Sequence, residues 1–565
     1  MDMSIGIDLG TTNTVVSVAR RGIHGDIDVQ TEQISQISED KITPTFSDLL
    51  PSVLYIDQDG SAYVGKSAKA MKSQNHKRVI SNSKNFMGES GYKWQIDDKE
   101  YSPELVASYF LKLIRNHLKN KYMNEDLLKE AVITVPASFD IDQKRATKTA
   151  ARLAGFQEDK IILISEPTAA MLDFINEQKK LSESSKIISF KEPKNILVFD
   201  LGGGTCDVSI LRIQIIEDKI SVEELEVSPH TLIGGTNFDI LAANGVLKDY
   251  SEKNNINLKK ILSKKNYEEL LNQVIIKCEA AKLMFSGKYQ MQSHLEENIR
   301  LDMLLKSECP ISIPNILNGK PFIYNLSGEK YNQFIKPLIN DDDSNENNIL
   351  SPIRKTLNAA NMTVEDIDYV FTVGGMSEYP TVNEAIKKYF KKEPQQLLNK
   401  MQSVSRGAAV YHYYNVSFSK NLKESVIDIT PTMPQSIFLN VNDGLPITLI
   451  EAKTKAGTPK IHENLVSVNS ELGVNLELYT GRSNFDPGLK KLKDIKINFP
   501  YGVKKGTPIS LKIEYTSKGM INFEAWISND KNIKKNVSID GLLVSEKEIE
   551  ETRNKFQLEK VKGGF

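Results

Sequence analysis

Two short segments of the chain each combine an aspartate with glycines and threonines at a turn, a set of groups suited to phosphate chemistry. The first runs from Asp8 to Thr12 and the second from Asp200 to Thr205. Glycine N–H groups and threonine hydroxyls can surround phosphate oxygens, and carboxylates can hold Mg²⁺ through water. We expect a polyphosphate to be pinched by Gly10, Thr11 and Thr12 on one side and by Gly202, Gly203, Gly204 and Thr205 on the other, with Asp8 and Asp200 facing the metal.

Each of these segments lies between two apolar, β-rich runs, which predicts a hairpin that carries the polar groups at its tip. The matching runs span 5–18 and 196–211. Because the pattern occurs twice, we expect a duplicated unit with two related lobes. Apolar residues recur with a helical period over 103–118, 143–153 and 267–285, which predicts helices between and after the hairpins.

Composition and charge argue against several kinds of function and binding site. The 565 residues include 72 Lys+Arg and 73 Asp+Glu, for a formal net charge of −1, so binding of nucleic acid as the main activity is disfavoured. The cysteines Cys206, Cys278 and Cys309 have no disulfide or zinc spacing. With neither a secretory signal nor a long apolar run, the sequence predicts a cytoplasmic protein that is not bound to a membrane.

The character of the sequence changes near residue 418. Short alternating runs separated by turn residues follow, which is typical of an antiparallel β-sandwich. We predict a first domain over 1–418, a linker over 419–429, the sandwich over 430–541, and a short helix with a tail over 542–565. The apolar residues 426–429 fit the linker, although they could also be the first strand of the sandwich.

Five motifs in order carry a resemblance to a known family. They are Ile7-Asp-Leu-Gly-Thr-Thr-Asn13, Val135-Pro-Ala137, Ser165-Glu-Pro-Thr-Ala-Ala170, Phe199-Asp-Leu-Gly-Gly-Gly-Thr-Cys-Asp207 and Val373-Gly-Gly375. Over nearly its whole length the chain resembles the seventy-kilodalton heat-shock chaperones of the actin and sugar-kinase superfamily, in a bacterial-type, short form without most of the helical lid. The resemblance implies an α/β actin-like ATPase with two RNase-H-like lobes, followed by an all-β sandwich peptide-binding domain and a short C-terminal helix.

The resemblance also implies individual roles within a nucleotide site. Lys84 would place the attacking water, although a lone lysine is usually a solvated charge. The remaining catalytic candidates are Glu166, Asp207 and Thr205; the two acids would bind metal waters or orient the nucleophile, or would alternatively be structural. The nucleoside side would be held by Gly374, Gly375, Glu279, Lys282 and Ser286, of which the last three could instead be ordinary polar helix surface.

Further roles concern the coupling between the domains. Pro136 matches a proline that switches between lobes, and Lys144 replaces the arginine that usually acts with it. The peptide groove would be lined by Val466, Val474, Leu476, Ile509 and Leu511, although alternating apolar residues of this kind could also be plain core.

Some positions depart from the family pattern. Leu283 and Glu378 replace arginines, and Met376 replaces a serine, so we expect weaker nucleotide affinity because planar cations are lost from the base side. Ser165 and Ile162 replace an asparagine and an arginine near the usual docking site of J-domain co-chaperones, which suggests a dedicated partner. The short C-terminal helix suggests fast exchange of bound peptide.

These observations lead to a functional hypothesis with alternatives. The resemblance implies an ATP-dependent molecular chaperone that uses ATP/ADP with Mg²⁺, and K⁺ as a further ion. Its partners would be client polypeptides, a J-domain co-chaperone and a nucleotide exchange factor. A nucleotide-sensing binding module with little turnover is the main alternative. An actin-like filament or sugar kinase is disfavoured, because those proteins lack the sandwich and linker.

Overall fold

In a computed structural model of the protein, the two hairpins predicted from the sequence are each part of a separate β-sheet. The structure describes residues 3–562 except 23–25, 39, 41, 73–74, 124–126, 230, 341–345, 399–400, 419–425, 441–445, 467–472, 482, 486–488, 493, 499–505, 517–520, 529 and 539–545. Much of the predicted linker and Ser545, the predicted cap of the last helix, therefore lie outside the described residues.

The first lobe contains the chain up to about residue 190. Its strands are β1 (Ser4–Leu9), β2 (Asn13–Arg21), β3 (Ile27–Thr31), β4 (Ile34–Ile37), β5 (Pro44–Ser47), β6 (Leu50–Pro51), β7 (Val53–Ile56), β8 (Ala62–Val64), β9 (Val79–Ser81), β10 (Trp94–Ile96), β11 (Lys99–Tyr101), β12 (Ala131–Val135) and β13 (Ile161–Ser165). Its helices are α1 (Lys66–Ala70), α2 (Pro103–Tyr122), α3 (Ile141–Ala154) and α4 (Glu166–Lys179). The helices predicted over 103–118 and 143–153 are confirmed as parts of α2 and α3.

The second lobe extends to about residue 418. Its strands are β14 (Lys194–Leu201), β15 (Cys206–Ile216), β16 (Lys219–Val227), β17 (Glu308–Leu317), β18 (Lys320–Ser327), β19 (Tyr369–Val373) and β20 (Gln395–Gln396). Its helices are α5 (Gly235–Lys253), α6 (Leu258–Ile261), α7 (Lys264–Met291), α8 (Glu297–Lys306), α9 (Gly328–Ile339), α10 (Leu350–Ala360), α11 (Pro380–Phe390) and α12 (Ser403–His412). The helix predicted over 267–285 is confirmed as part of α7.

The central sheets of the two lobes have the same strand order. In the first lobe the order is β13-β12-β1-β2-β3, and in the second it is β20-β19-β14-β15-β16. In both sheets the starting hairpin is antiparallel, and the later strands add in parallel to its first strand. The two tips therefore occupy equivalent places in the two sheets.

Helices α4 and α12 pack together between the two central sheets and share one hydrophobic cluster with both. Close approach depends on Gly407 in α12. A Cβ at this position would lie 1.7 Å from the carbonyl oxygen of Ala169 in α4. Because α4 begins at Glu166, this contact helps to fix the place of that acid relative to both lobes.

The C-terminal third consists of β21 (Ile427–Thr430) and a set of antiparallel strands. They are β22 (Ser436–Leu439), β23 (Ile447–Ile450), β24 (Lys460–Val466), β25 (Gly473–Leu476), β26 (Leu478–Gly481), β27 (Lys490–Lys491), β28 (Ile495–Asn498), β29 (Pro508–Tyr515), β30 (Ile521–Ile527) and β31 (Asp530–Ser538). They form the sheets β23-β22-β26-β27 and β24-β29-β30-β31 and the pair β25-β28. One apolar cluster joins side chains from all three, as expected for packed sheets.

Within the part of the chain that the structure describes, β21 pairs with none of these antiparallel strands. It extends the central sheet of the second lobe by parallel pairing with β16, from Ile220–Ile427 to Glu223–Thr430. The side chain of Ile427 is buried in the cluster between the lobes. The segment that leads into the sandwich is therefore part of the second-lobe sheet.

The last described segment packs on the first lobe. Helix α13 (Glu546–Lys555) and the turn after it place Ile549 and Leu558 in the core of that lobe. The backbone N–H of Lys562 donates to the carbonyl of Ala62 (2.8 Å), and the N–H of Val64 donates to the carbonyl of Lys562 (2.9 Å). Of the helices in the described ranges, none combines the length and the apolar content needed to cross a membrane.

Candidate nucleotide site

A cleft between the lobes brings together most of the predicted phosphate-side residues. Its lining consists of Asp8, Gly10, Thr11, Thr12, Asn13, Val15, Leu49, Lys84, Glu166, Asp200, Gly202, Gly203, Thr205, Val373, Gly374, Gly375, Met401 and Val404. Both tips, both predicted metal aspartates and three of the catalytic candidates, Lys84, Glu166 and Thr205, thus face one space. The apolar wall of the cleft was not predicted, because Leu49, Met401 and Val404 belong to segments without a recognisable motif.

The two tips are in direct contact. A Cβ on Gly203 would lie 1.8 Å from Oγ1 of Thr12, and a Cβ on Gly204 would lie 3.0 Å from Cγ2 of Thr11. Asn85 also lies beside Gly204, and its buried amide oxygen has no hydrogen-bond partner among the described residues. The close approach of glycine backbone to threonine hydroxyls provides the donors that an anion requires.

Lys84 and Glu166 form a buried ion pair in the cleft. Lys84 lies in a short 3₁₀ turn, Ser83–Phe86, and Glu166 is the first residue of α4. Burial by itself would lower the pKa of Lys84, but the negative charges of Glu166 and Asp8 outweigh it and raise this pKa. Lys84 is therefore a buried, charged group and not a solvated surface lysine.

The cleft contains more carboxyl groups than the single positive charge of Lys84 can balance, because Asp8 and Asp200 line it together with Glu166. Burial, and then the charge of Glu166, raises the pKa of Asp8 to about 7. Burial and the charges of Glu166 and Asp207 raise the pKa of Asp200 well above its usual value. A cation bound among these carboxyl groups would favour their ionised form and lower their pKa values.

The arrangement of these acids fits a hydrated ion. Across the described residues, no three histidine, cysteine or acidic side chains converge closely enough to hold a metal directly. Mg²⁺ characteristically keeps several waters and uses one or two carboxylates together with phosphate oxygens. Asp8 and Asp200 fit that kind of site, in which they would bind the waters of the ion.

Asp207 lies next to the cleft but is not part of its lining. Its Oδ1 accepts a hydrogen bond from the hydroxyl of Ser138 (2.6 Å), and its backbone is paired with Asp200 across the hairpin. Ser138 belongs to the turn in which the carbonyl of Pro136 accepts from the N–H of Phe139 (3.1 Å). The predicted switch proline is thus one short turn away from a predicted catalytic acid.

The predicted nucleoside-side residues lie along one face of α7. Lys282 donates to Oδ2 of Asp239 (2.8 Å) and to the carbonyl of Gly235 (3.3 Å), while Ser286 is partly buried one turn further along. Glu279 pairs with Lys69 of the first lobe at 3.4 Å, so this ion pair joins the two lobes. None of the three belongs to the cleft lining given above, so their contact with a nucleoside stays a prediction.

Of the substituted positions, Leu283 lies on this helix and Glu378 contacts it. Leu283 is 62% exposed, and Met376 is buried. Glu378 accepts a hydrogen bond from the side-chain amide of Gln290 (2.8 Å), also on α7. An aliphatic side chain and a carboxylate paired with an amide thus stand where planar cations were expected from the resemblance.

A comparison with protein families agrees with this geometry. The family model described as Hsp70 protein matches residues 4–97 and 90–562, which together cover almost the whole chain. The chain belongs to the Hsp70 family. Hsp70 proteins are ATP-dependent chaperones that bind ATP or ADP with Mg²⁺, act on client polypeptides, and work with J-domain and nucleotide-exchange co-chaperones.

In this Hsp70 chain the sandwich makes several polar contacts with the two lobes. Lys144, the predicted switch residue on α3, donates to the hydroxyl of Tyr515 on β29 (3.2 Å). Lys453 pairs with Glu226 of β16 at 2.6 Å, and Lys455 pairs with Glu223 of the same strand. The predicted switch residue therefore contacts the sandwich directly, and no sequence pattern indicated Tyr515 as its partner.

The predicted groove residues have a different environment. Leu476, Ile509 and Leu511 are buried in the apolar cluster of the sandwich, which favours the interpretation as core that the sequence left open. The backbone of Val466 pairs with Pro508, and that of Val474 pairs with Ile497, whereas their side chains lie outside the described part of the structure. A groove lined by these five residues stays a prediction.

Proposed function

We propose that this Hsp70 protein hydrolyses ATP in the cleft between its lobes and uses the nucleotide state to control peptide binding by the β-sandwich. The observation that carries the proposal is the pairing of β21 with β16. Because the segment entering the sandwich is a strand of the second-lobe sheet, a movement of that lobe acts directly on the sandwich. The proposed boundaries are 1–418, 419–429, 430–541 and 542–565.

Catalysis would consist mainly of positioning and charge neutralisation. Gly203 and the hydroxyls of Thr11 and Thr12 would bind phosphate oxygens, and Asp8 and Asp200 would hold the waters of Mg²⁺. The ion, when bound, neutralises charge on the phosphates. K⁺ remains part of the proposal by family resemblance.

The water-placing role falls to Lys84 and Glu166. The ammonium group of Lys84 can donate up to three hydrogen bonds, one of which is directed at Glu166, so donors remain for a water or a phosphate oxygen. The carboxylate of Glu166 can in turn accept a proton or a hydrogen bond from that water. Asp207, held by Ser138, would contribute charge from the second lobe.

Peptide would bind to the sandwich as an extended segment, through backbone hydrogen bonds and one apolar pocket. The test is to measure the affinity and dissociation rate of a fluorescent, extended apolar peptide with Mg·ATP and with Mg·ADP. We expect faster dissociation with ATP. Equal affinity and equal rates in the two nucleotides would contradict the coupling, and a scrambled charged peptide is the control for nonspecific binding.

The alternative of a nucleotide sensor with little turnover rests on the replaced residues Leu283 and Glu378. It is separated from the chaperone by single-turnover hydrolysis of ATP by the purified protein. Conversion to ADP over minutes supports the ATPase. Nucleotide-dependent peptide release without conversion would support the sensor.

The proposed co-chaperone is a dedicated J-domain protein. Ser165 is committed to a hydrogen bond with Glu224, and Ile162 packs against the cluster between the lobes, so neither offers the polar group expected at the usual docking site. Full stimulation of hydrolysis by a general-purpose J-domain protein would contradict this part of the proposal. A nucleotide exchange factor remains a further proposed partner.

A further inference from the structure

The second tip is held on one side by the start of α5. The backbone N–H groups of Gly235 and Thr236 donate to the carbonyls of Gly202 and Gly203, at 2.9 and 2.8 Å. The hydroxyl of Thr236 donates to the same carbonyl of Gly203 (2.9 Å). Because three hydrogen bonds fix two successive carbonyls, the tip moves together with the rest of the second lobe.

The other side of the same tip is covered by the first lobe. A Cβ on Gly204 would lie 3.0 Å from Cγ2 of Thr11, 3.1 Å from Nδ2 of Asn85 and 3.3 Å from Oδ1 of Asn85. Asn85 belongs to the short turn Ser83–Phe86, which also carries Lys84. The amide of Asn85 therefore lies at a contact between the lobes, directly against a tip that we propose to bind phosphate.

The amide of Asn85 has an unused hydrogen-bond acceptor at this contact. Its Oδ1 is buried, although the residue as a whole is only partly buried, and it accepts no hydrogen bond from the residues that the structure describes. A buried polar atom without a partner costs free energy that a donor would recover. Because Asn85 and the second tip belong to different lobes, closer approach of the lobes is the movement that brings donors of the tip to this atom.

We propose that Asn85 is a positioning residue that holds the second tip against the first lobe when a nucleotide is bound between the tips. This inference rests on the proposed function, because it requires nucleotide to bind in the cleft. Phosphates shared by the two tips would draw them together, and Oδ1 of Asn85 would then accept a hydrogen bond from a backbone N–H or hydroxyl group of the second tip. Asn85 thus stabilises the nucleotide-bound state and costs free energy in the empty one.

Asn85→Ala in the full chain distinguishes this role from a purely structural one, because its effects on the two states should differ. Without nucleotide, its melting temperature should equal or exceed that of the wild type, since an unpaired buried acceptor is removed. Its affinity for Mg·ATP, measured by calorimetry, should fall by about fivefold, as expected for the loss of one hydrogen bond. Asn85→Ser, which has a shorter polar side chain, should give the same result and keeps the test valid if the alanine variant does not fold.

A double-mutant cycle tests the contact between Asn85 and the tip. In Gly204→Ala the added methyl group would press on both Thr11 and Asn85, so ATP affinity should fall. In the Asn85→Ala background the methyl group has more room, so Gly204→Ala should lower the affinity by a smaller factor there. Asn266→Ala removes a partly buried asparagine from the first turn of α7, and as the matched control it should keep the wild-type affinity.

The outcomes separate this inference from the proposed function. A wild-type protein that binds neither Mg·ATP nor Mg·ADP overturns both. If the wild type binds nucleotide, unchanged ATP affinity in Asn85→Ala overturns the role of Asn85 alone. A lower melting temperature of the nucleotide-free Asn85→Ala protein also overturns it, because Asn85 would then stabilise the empty state. Additive effects of Asn85→Ala and Gly204→Ala would show that the amide does not act on the tip.

Discussion

The ammonium group of Lys84 pairs with the carboxylate of Glu166, and both residues are buried. The pair joins two elements that are 82 residues apart, a 3₁₀ turn and the start of α4. Removing one partner of such a pair leaves the other as an uncompensated buried charge. Substitutions here therefore affect stability as well as catalysis, and the two effects have to be separated.

Lys84→Ala is expected to lower the single-turnover rate of ATP hydrolysis by about a hundredfold or more, because a positioned donor is lost from the cleft. It should also lower the melting temperature. The double variant Lys84→Ala/Glu166→Gln removes the unpaired charge, so it should recover stability but not activity. A double variant that hydrolyses ATP at the wild-type rate would show that neither residue takes part in catalysis.

The stability of the folded protein should depend on pH because Asp8 is buried close to other acids in the cleft. The pKa of Asp8 is raised to about 7, so between pH 4 and 7 the folded protein retains a proton that the unfolded chain has released. Stability without metal should therefore fall as pH rises through this window, by at most about 1.4 kcal/mol per pH unit for one group. In EDTA, the melting temperature of Asp8→Asn should fall less steeply with rising pH than that of the wild type. Identical slopes for the two proteins would contradict the raised pKa of Asp8.

Gly234→Ala is expected to displace the second tip. A Cβ at this position would lie 2.4 Å from the N atom of Gly204 and 2.6 Å from the carbonyl carbon of Gly203, and a backbone cannot yield as a side chain can. We expect ATP affinity to fall by about tenfold, or about 1.4 kcal/mol, because the hydrogen-bond donors of this tip are displaced. Calorimetry gives the affinity. Gly287→Ala is the control, because nothing lies within 4 Å of its added Cβ. Unchanged affinity in Gly234→Ala would mean that this tip does not bind phosphate.

Restoring a planar cation on α7 should strengthen nucleotide binding. Leu283 is largely exposed on the proposed nucleoside side, so Leu283→Arg can stack on a base without repacking a core. A stacking or cation–π contact of about 1 kcal/mol corresponds to an increase of about fivefold in ATP affinity. Inorganic tripolyphosphate, which has no base, is the control ligand. Its affinity, measured by competition with ATP, should be the same for Leu283→Arg and the wild type. Parallel gains for both ligands would indicate a general charge effect.

Leu558→Asp tests whether the last segment belongs to the core of the first lobe. The side chain of Leu558 is fully buried there, so a charged replacement is expected to cost about 3 kcal/mol or more of unfolding free energy. Denaturant unfolding of the full chain gives the measurement. Glu550→Gln, on the exposed side of α13, is the control and should be neutral. An equally stable Leu558→Asp protein would show that the segment docks only loosely.

Local patterns account for what the sequence predicted well. The tips were recognisable because the acids, glycines and hydroxyls that meet a phosphate are neighbours in the chain, and α2 and α7 because their apolar residues recur with the helical period. The contacts of Ser138 with Asp207 and of Thr134 with Asp8 depend on how separate strands align, which no local pattern records. The same reason explains why Tyr515 was not recognised as the partner of Lys144.

The sandwich was harder to interpret from its sequence. Leu476 and Leu511 alternate with polar residues in a way that suits a groove and a core equally, and only packing distinguishes the two. The apolar residues from Val426 to Ile429 also allowed two interpretations. Their pairing partner, β16, lies about 200 residues earlier in the chain, so no local signal identified it.

The packing of α13 and the following turn on the first lobe has a consequence for biosynthesis. Ile549 and Leu558 complete a hydrophobic core whose other buried members, among the described residues, precede residue 162. The ribosome therefore synthesises the other members of that core several hundred residues before Ile549 and Leu558. Until Ile549 and Leu558 have been synthesised, part of the apolar interior of the first lobe would be exposed to solvent.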